Sequence, residues 1–261
     1  MIWFYTRVGR DCRLLPQLLE HYQAMGVDRL LVCGDLKEPL DPIKNKIKRI
    51  CRQYDALFET TIDPGHDHVR VRQDRARQIQ KYCDPSDWVI NADCDEFHVF
   101  PNNLRHVLDY CDDQGFDYVH GTFVDRIAAD GSLPVLDESR SVWEQFELGC
   151  HITRNVLMAR VDKVPASKAA VKLDGGYHQV LGRTYRCCHY EVEVHHFKWD
   201  SEVLNRMKWR MEVANHKDYR WACPEAQRLE AYLLENGGKL NIKDPKLQVF
   251  TPNNQQRLDS I

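Results

Sequence analysis

Trp88-Val89-Ile90-Asn91-Ala92-Asp93-Cys94-Asp95-Glu96-Phe97 is the stretch from which the rest of the chain is read. Its first half is a short apolar run of the kind a buried parallel strand makes. Its second half puts three carboxylates into four positions, followed by Phe97 and then Pro101. In an open α/β sheet, ligands bind at the carboxyl ends of the strands. In extended backbone Asp93 and Asp95 project to one side and Glu96 to the other. Two carboxylates on one side repel unless something positive lies between them. A hard divalent cation does this, keeping waters and taking phosphate oxygens as further ligands. The cluster points to a metal–diphosphate site, against the plainer reading of an acidic turn after a strand.

Upstream, Ile2-Trp3-Phe4-Tyr5 reads as a first buried strand that ends in a polar run from Thr6 and Arg7 to Asp11. Leu14, Leu15, Leu18, Leu19, Tyr22 and Met25 then recur at helical spacing, and Gly26 stops the helix. Arg29 to Cys33 is a second strand with Gly34-Asp35 at its end. Such a βαβ unit commonly opens a nucleotide-binding sheet. It carries neither G-x-G-x-x-G nor G-x-x-x-x-G-K-[ST], so no dinucleotide or P-loop site is indicated. Asp41-Pro42 starts a second helix with Ile43, Ile47, Ile50, Cys51 and Tyr54 as its stripe, and Ala56-Leu57-Phe58 is a third strand. Pro64 to His68 is a loop containing an H-x-H pair, His66 and His68. Val71 to Tyr82 is a polar helix, and of Arg70, Arg72, Arg75 and Arg77 one is a candidate to reach a nucleotide while the others face solvent.

Downstream, Leu104, Val107, Leu108 and Cys111 mark a helix stopped by Gly115, and Phe116 to Val124 a strand. From Asp125 to Pro134 the pattern turns irregular, a natural place for acceptor contacts at the mouth of a rigid sheet. A metal held by two acids takes a further protein ligand from elsewhere. His178 follows Gly175-Gly176, where the backbone can approach a ligand closely. Tyr185 to Lys198 alternates, which puts His195 with Glu191 and Glu193 on the solvent side, and His196 and Lys198 inward with Val192 and Val194. His178 is the favoured metal ligand, while His196 and Lys198 suit a diphosphate. The alternation also separates Cys187, Cys188 and His189 too widely for one zinc ion. The remainder is helical, with stripes at Val203, Met207, Met211 and Ala214 and again from Ala226 to Leu234. Lys208, Arg210, Lys217 and Arg220 line either an acidic-acceptor groove or a solvated face.

The net charge of −3 over 261 residues leaves no basic footprint and argues against a nucleic-acid partner. The ten cysteines show no C-x-x-C spacing, so the expected state is reduced, buried thiol. No apolar stretch is long enough to span a bilayer and no leader pattern opens the chain, which leads to the expectation of a cytoplasmic protein, with peripheral membrane association left open.

The strand ending in Asp93-Cys94-Asp95-Glu96-Phe97 resembles the D-x-D-E-F element of GT-A-fold glycosyltransferases of the family-2-like and family-92-like kind. Glu20-His21-Tyr22 with Gly26-Val27-Asp28 resembles their opening, and Asp125 to Pro134 followed by Trp143-Glu144-Gln145-Phe146 resembles a bacterial family-2-like run. Arg10-Asp11 departs from the Asn-Glu pair common at that place. The resemblance covers roughly residues 1–36, 70–101 and 118–216 and implies Mn²⁺ or Mg²⁺ held against the diphosphate of a nucleotide sugar. It also implies that Asp35 lies near the nucleoside.

The expected fold is α/β, a single GT-A-like (Rossmann-like) domain with a mostly parallel central sheet, helices on both faces and a helical C-terminal part. Residues 1–115 would form the nucleotide-sugar half and 116–261 the acceptor half. The expected activity is metal-dependent, inverting transfer of a sugar from a nucleotide sugar, UDP-linked, to the hydroxyl of a glycan or lipid-linked saccharide. Asp93, Asp95 and His178 would hold the metal. Thr6, Arg7, Asp35, Asp93, His196 and Lys198 would hold the donor, and Asp125 or Glu144 would serve as base. The alternatives are a metal-dependent nucleotidyltransferase or phosphohydrolase, and a nucleotide-sugar-binding protein without turnover.

Overall fold

The structure, a computed structural model, describes residues 1–9, 11–37, 41–62, 67–182, 184–213 and 222–252. Arg10, His66, Ala214, Lys217 and Arg220, and the side chain of Arg210, lie outside the described residues. The protein is a mixed α/β chain built on a large central sheet with helices, and it groups into two compact units. The first comprises Met1–Thr122 and Asp162–Val194, and the second Phe123–Val161 and His195–Ile261.

In the first unit, β1 (Ile2–Val8), β2 (Arg29–Leu36), β3 (Leu57–Ile62) and β4 (Trp88–Asp93) form a parallel block in the order β3-β2-β1-β4. Tyr5 is registered between Leu31 and Asn91, and Arg7 between Cys33 and Asp93, so the acidic end of β4 lies beside the polar end of β1. Every residue of β1 is buried, as a strand covered on both faces requires. Trp3 and Tyr5 pack with Ile79 of α3 (His68–Tyr82), while Phe4, of opposite parity, stacks on Tyr22 of α1 (Leu15–Ala24) at 4.0 Å. Helices therefore lie on both faces. Asp67 caps α3, its Oδ1 accepting from the amides of Val69 and Arg70 at 2.9 and 3.0 Å. Asp41 caps α2 (Ile43–Gln53) through the amide of Ile43 at 3.1 Å.

Beyond β4 the pairing turns antiparallel, β8 (Asp162–Lys168) with β4 and β6 (Tyr118–Ile127) with β8. After β6 the next strands in space are β9 (Cys187–His196) and the short β5 (Glu96–Val99). Neither β5 nor β8 follows from the sequence patterning. β5 is four residues long, and β8 carries a proline and a buried lysine inside its run. β6 also runs further than expected, so Asp125-Arg126-Ile127 is strand and not the start of the irregular segment.

In the second unit the end of β6 pairs with β7 (Leu148–Cys150), Asp125 opposite Cys150. Its core joins Ile127, Cys150, Trp199, Met207 of α7 (Val203–Val213), and Leu229 and Leu233 of α8 (Ala222–Glu235). Gly131, at φ +71°, is required where the loop after β6 meets Leu240, because a Cβ there would stand 2.0 Å from that carbonyl oxygen. The alternation expected for β9 holds for Val192 and Val194, but His195 is buried at 2 % exposure and not on a solvent side. It packs edge-on to Trp143 at 5.1 Å, so this end of the strand is covered on both faces.

The ten cysteines are all free thiols, six of them buried. Among the described residues no helix is long and apolar enough to cross a membrane.

Candidate active site

β4 ends at Asp93, and Cys94-Asp95 form a turn before Glu96 opens β5. The extended parity that would align Asp93 with Asp95 therefore stops one residue too early. The turn folds Glu96 back instead, and its Oε2 accepts from the Asp93 amide at 3.3 Å. An oxygen of Asp95 and one of Glu96 lie within 4.8 Å of each other.

The positive charge between these acids is one the sequence reading missed. Lys163 of β8 is fully buried, and its ammonium lies 2.7 Å from Glu96 Oε1 and 3.4 Å from Asp93 Oδ2. It also donates to the carbonyl of Gly176 at 2.8 Å. Burial alone would push its pKa down, but Glu96 and Asp93 outweigh that and hold it above the ordinary lysine value. Little in the sequence signals it, since Lys163 stands in Asp162-Lys163-Val164-Pro165-Ala166-Ser167-Lys168, with an acid beside it and a second lysine at the strand's end.

His178 stands beside this pair. Its Nδ1 lies 2.7 Å from the carbonyl of Asp162, and its amide donates to Asp174 Oδ1 at 2.7 Å. Burial, and then the nearby Lys163 ammonium, lower its pKa to about 4. The imidazole is neutral at pH 7, and a donated Nδ1 proton puts the lone pair on Nε2, the tautomer suited to a metal. The double glycine serves the protein's own packing here. A Cβ on Gly175 would meet His68 at 2.9 Å, and one on Gly176 would meet the His178 ring at 2.8 Å.

Three carboxylates against one ammonium leave two negative charges at the end of β4 when all are ionised. That balance, with a neutral imidazole nearby, is chemistry that fits a divalent cation of the Mg²⁺ or Mn²⁺ kind. Among the described residues, Asp93, Asp95 and His178 do not form one set of ligand atoms all within 4.8 Å of each other.

At the neighbouring strand ends, Arg7 is clamped on Asp35, Nε to Oδ2 at 3.1 Å and Nη2 to Oδ1 at 2.5 Å. Its Nη1 donates to the carbonyl of Val71, and Thr61 donates to Asp35 at 2.7 Å. Burial would lower the Arg7 pKa, yet Tyr5 and Asp35 drive it upward, so the guanidinium is charged. Thr6 is fully buried, and its Oγ1 finds no hydrogen-bond partner among the described residues. Of the four arginines on or beside α3, Arg75 alone is buried, donating to Asn91 Oδ1 at 3.2 and 2.6 Å.

In the second unit Asp125 is 1 % exposed and holds Thr153 Oγ1 at 2.6 Å, the Thr153 amide at 2.7 Å and Trp199 Nε1 at 3.0 Å, with His196 Nδ1 at 3.4 Å. Burial works against its charge, but these donors and His196 win and hold its pKa below the ordinary value. A carboxylate so occupied is a weak base. Glu144, on α5 (Val142–Gln145), is exposed. His196 stacks on Phe123 at 4.4 Å, and the Lys198 ammonium lies 4.9 Å from the Trp199 ring centre. Sequence reading also missed Arg126, which is fully buried and donates to the carbonyls of Phe146 and Glu147 at 2.9 and 3.0 Å.

No family model and no curated protein matches the chain. Among solved structures, S. aureus TarS superposes with a TM-score of 0.43 at 9 % identity, over 94 % of this chain and 46 % of its own. A TarS fragment, residues 1–349, gives 0.42 at 9 % identity over 94 % and 76 %. A 4-diphosphocytidyl-2C-methyl-D-erythritol synthase gives 0.36 at 13 % identity over 65 % and 75 %. The chain thus spans less than half the length of the first of these. Superpositions at this level assign no activity.

Proposed function

We propose that the chain is a glycosyltransferase that moves a sugar from a nucleotide sugar, UDP-linked, to an acceptor hydroxyl with inversion. The observation that carries this reading is the end of β4, where Glu96 and Asp93 close on the buried ammonium of Lys163, with Asp95 on the turn between them and a neutral His178 nearby. Asp95 and Asp93 would hold Mn²⁺ or Mg²⁺, with His178 as the nitrogen ligand. When bound, such a cation offsets the charge of a leaving nucleoside diphosphate.

Lys163 pairs with buried Glu96 and reaches Asp93, and Glu96 in turn accepts from the Asp93 amide, which fixes the turn on which Asp95 is carried. Arg7 and Asp35 hold each other at the adjacent strand ends and so shape the floor under a nucleoside. His196 and Lys198 are assigned to the diphosphate. Of the two candidate bases, exposed Glu144 takes the acceptor proton, and Asp125 positions His196.

The test is a thermal-shift panel of nucleoside diphosphates and nucleotide sugars, with and without Mn²⁺, on wild type and Asp95→Ala. A donor that binds only the folded state raises the midpoint. A rise that needs both UDP and Mn²⁺ and is lost in Asp95→Ala supports the reading. No rise with any nucleotide, with or without metal, overturns it.

A further inference from the structure

On the α3 face of the first unit a cavity of about 760 Å³ opens between α3 and the segment from Ala169 to Leu181. None of Thr6, Arg7, Asp35, Asp93, Asp95, Lys163 or His178 lines it. Its walls are apolar where Ile79, Val171 and Leu173 face it, and all three belong to the buried core. Its charged lining residues are Arg72, Arg75 and Lys172, and no described carboxylate lines it.

Among the described residues none of these cations has a carboxylate partner. Arg75 is 4 % exposed, yet its only hydrogen-bond acceptor among the described residues is the neutral amide oxygen of Asn91. Its guanidinium otherwise lies 5.8 Å from the ring centres of Tyr5 and Tyr177. Arg72 and Lys172 make no ion pair with any described residue. Burial pushes the Arg75 pKa down, and no carboxylate is among the groups that oppose it. A buried ion without a counterion is costly, and the described residues offer buried Arg75 only a neutral acceptor. Three cationic side chains in one lining, with no described carboxylate among them, suit a phosphate dianion. The volume suits a small molecule, and the apolar walls call for an apolar body.

We propose that this cavity binds a small organic phosphate, one phosphate group on an apolar body, at a site separate from the end of β4. The phosphate is held by Arg75 with Arg72 and Lys172 at the rim, and the body lies against Ile79, Val171 and Leu173.

Isothermal titration calorimetry with phenyl phosphate tests this, with phenol and inorganic phosphate as comparison probes. Phenyl phosphate should bind at least about tenfold more tightly than either, because only it uses both the cations and the apolar wall. Arg72→Glu and Lys172→Glu reverse charges at the rim without touching the core, and each should weaken phenyl phosphate by about tenfold while leaving the melting temperature unchanged. Binding should survive Asp95→Ala and persist in the presence of UDP with Mn²⁺. Absence of saturable binding, equal affinity for phenol, or indifference to both charge reversals overturns the proposal. So does displacement by UDP with Mn²⁺ or loss in Asp95→Ala, either of which would place the ligand at the end of β4. Failure of the donor panel alone leaves this cavity untouched.

Discussion

Lys163 Nζ lies 2.7 Å from Glu96 Oε1, with the two side chains 0 % and 2 % exposed. A buried pair of this kind is weak evidence for net stability, but removing one partner strands the other charge. Lys163→Met should therefore destabilise the fold by about 3–5 kcal/mol in urea denaturation. Adding Glu96→Gln should recover part of the loss, because the stranded carboxylate is gone. Additive losses in the double variant would show that the two side chains are not coupled.

His178 gives a pH signature. The folded protein holds it at about 4, while the unfolded chain protonates near 6.5. Between those values the unfolded state binds more protons, so this residue's contribution to stability falls as pH drops through that window and levels off below it. Measured with chelator present, the stability difference between wild type and His178→Gln should shrink from pH 7 to pH 4. A difference that stays constant across the window would contradict the neutral imidazole.

Thr6→Val separates packing from binding. The Thr6 hydroxyl is sealed and has no partner among the described residues, so a methyl of the same shape should raise stability by about 1 kcal/mol. If Thr6 instead turns towards a donor, the variant should weaken the UDP-dependent thermal shift.

Gly131→Ala reports on the second unit. The substitution combines a φ of +71° with a Cβ 2.0 Å from a backbone oxygen, so it should cost at least about 2 kcal/mol. A melting temperature equal to that of wild type would mean that the loop after β6 has another conformation in solution.

The two candidate bases should fail in different ways. Asp125→Asn should lower stability by about 1–3 kcal/mol, since Thr153 and Trp199 lose a charged acceptor. Glu144→Gln, at an exposed site, should stay within about 0.5 kcal/mol of wild type while abolishing sugar transfer measured as UDP release. Full turnover in Glu144→Gln would remove it as the base.

What the sequence made legible was periodic. The stripe Leu15, Leu18, Leu19 and Tyr22 did become the buried side of α1, and the apolar run before Asp93 did become a strand buried in a parallel block. Parity failed where a strand ended early, at Asp93, and where a tertiary cover arrived from elsewhere in the chain, as Trp143 does over His195. Lys163 could not be read as a site residue because the acids that make its burial tolerable lie far away in the chain, Asp93 being 70 positions earlier. The same holds for Asp125, whose pattern suggested a loop acid and whose partners Thr153 and Trp199 come from other elements.

The unpaired thiols give the molecule a built-in record of its own opening. Cys33 and Cys51 are buried and pushed up to about 11 and about 12, so in the folded state they are almost wholly protonated and out of reach. An alkylating reagent then reacts with them only during excursions that expose β2 or α2, while half-buried Cys223 on α8 is more accessible. Mass spectrometry of timed alkylation would therefore rank the segments by how often each comes apart, without any engineered probe.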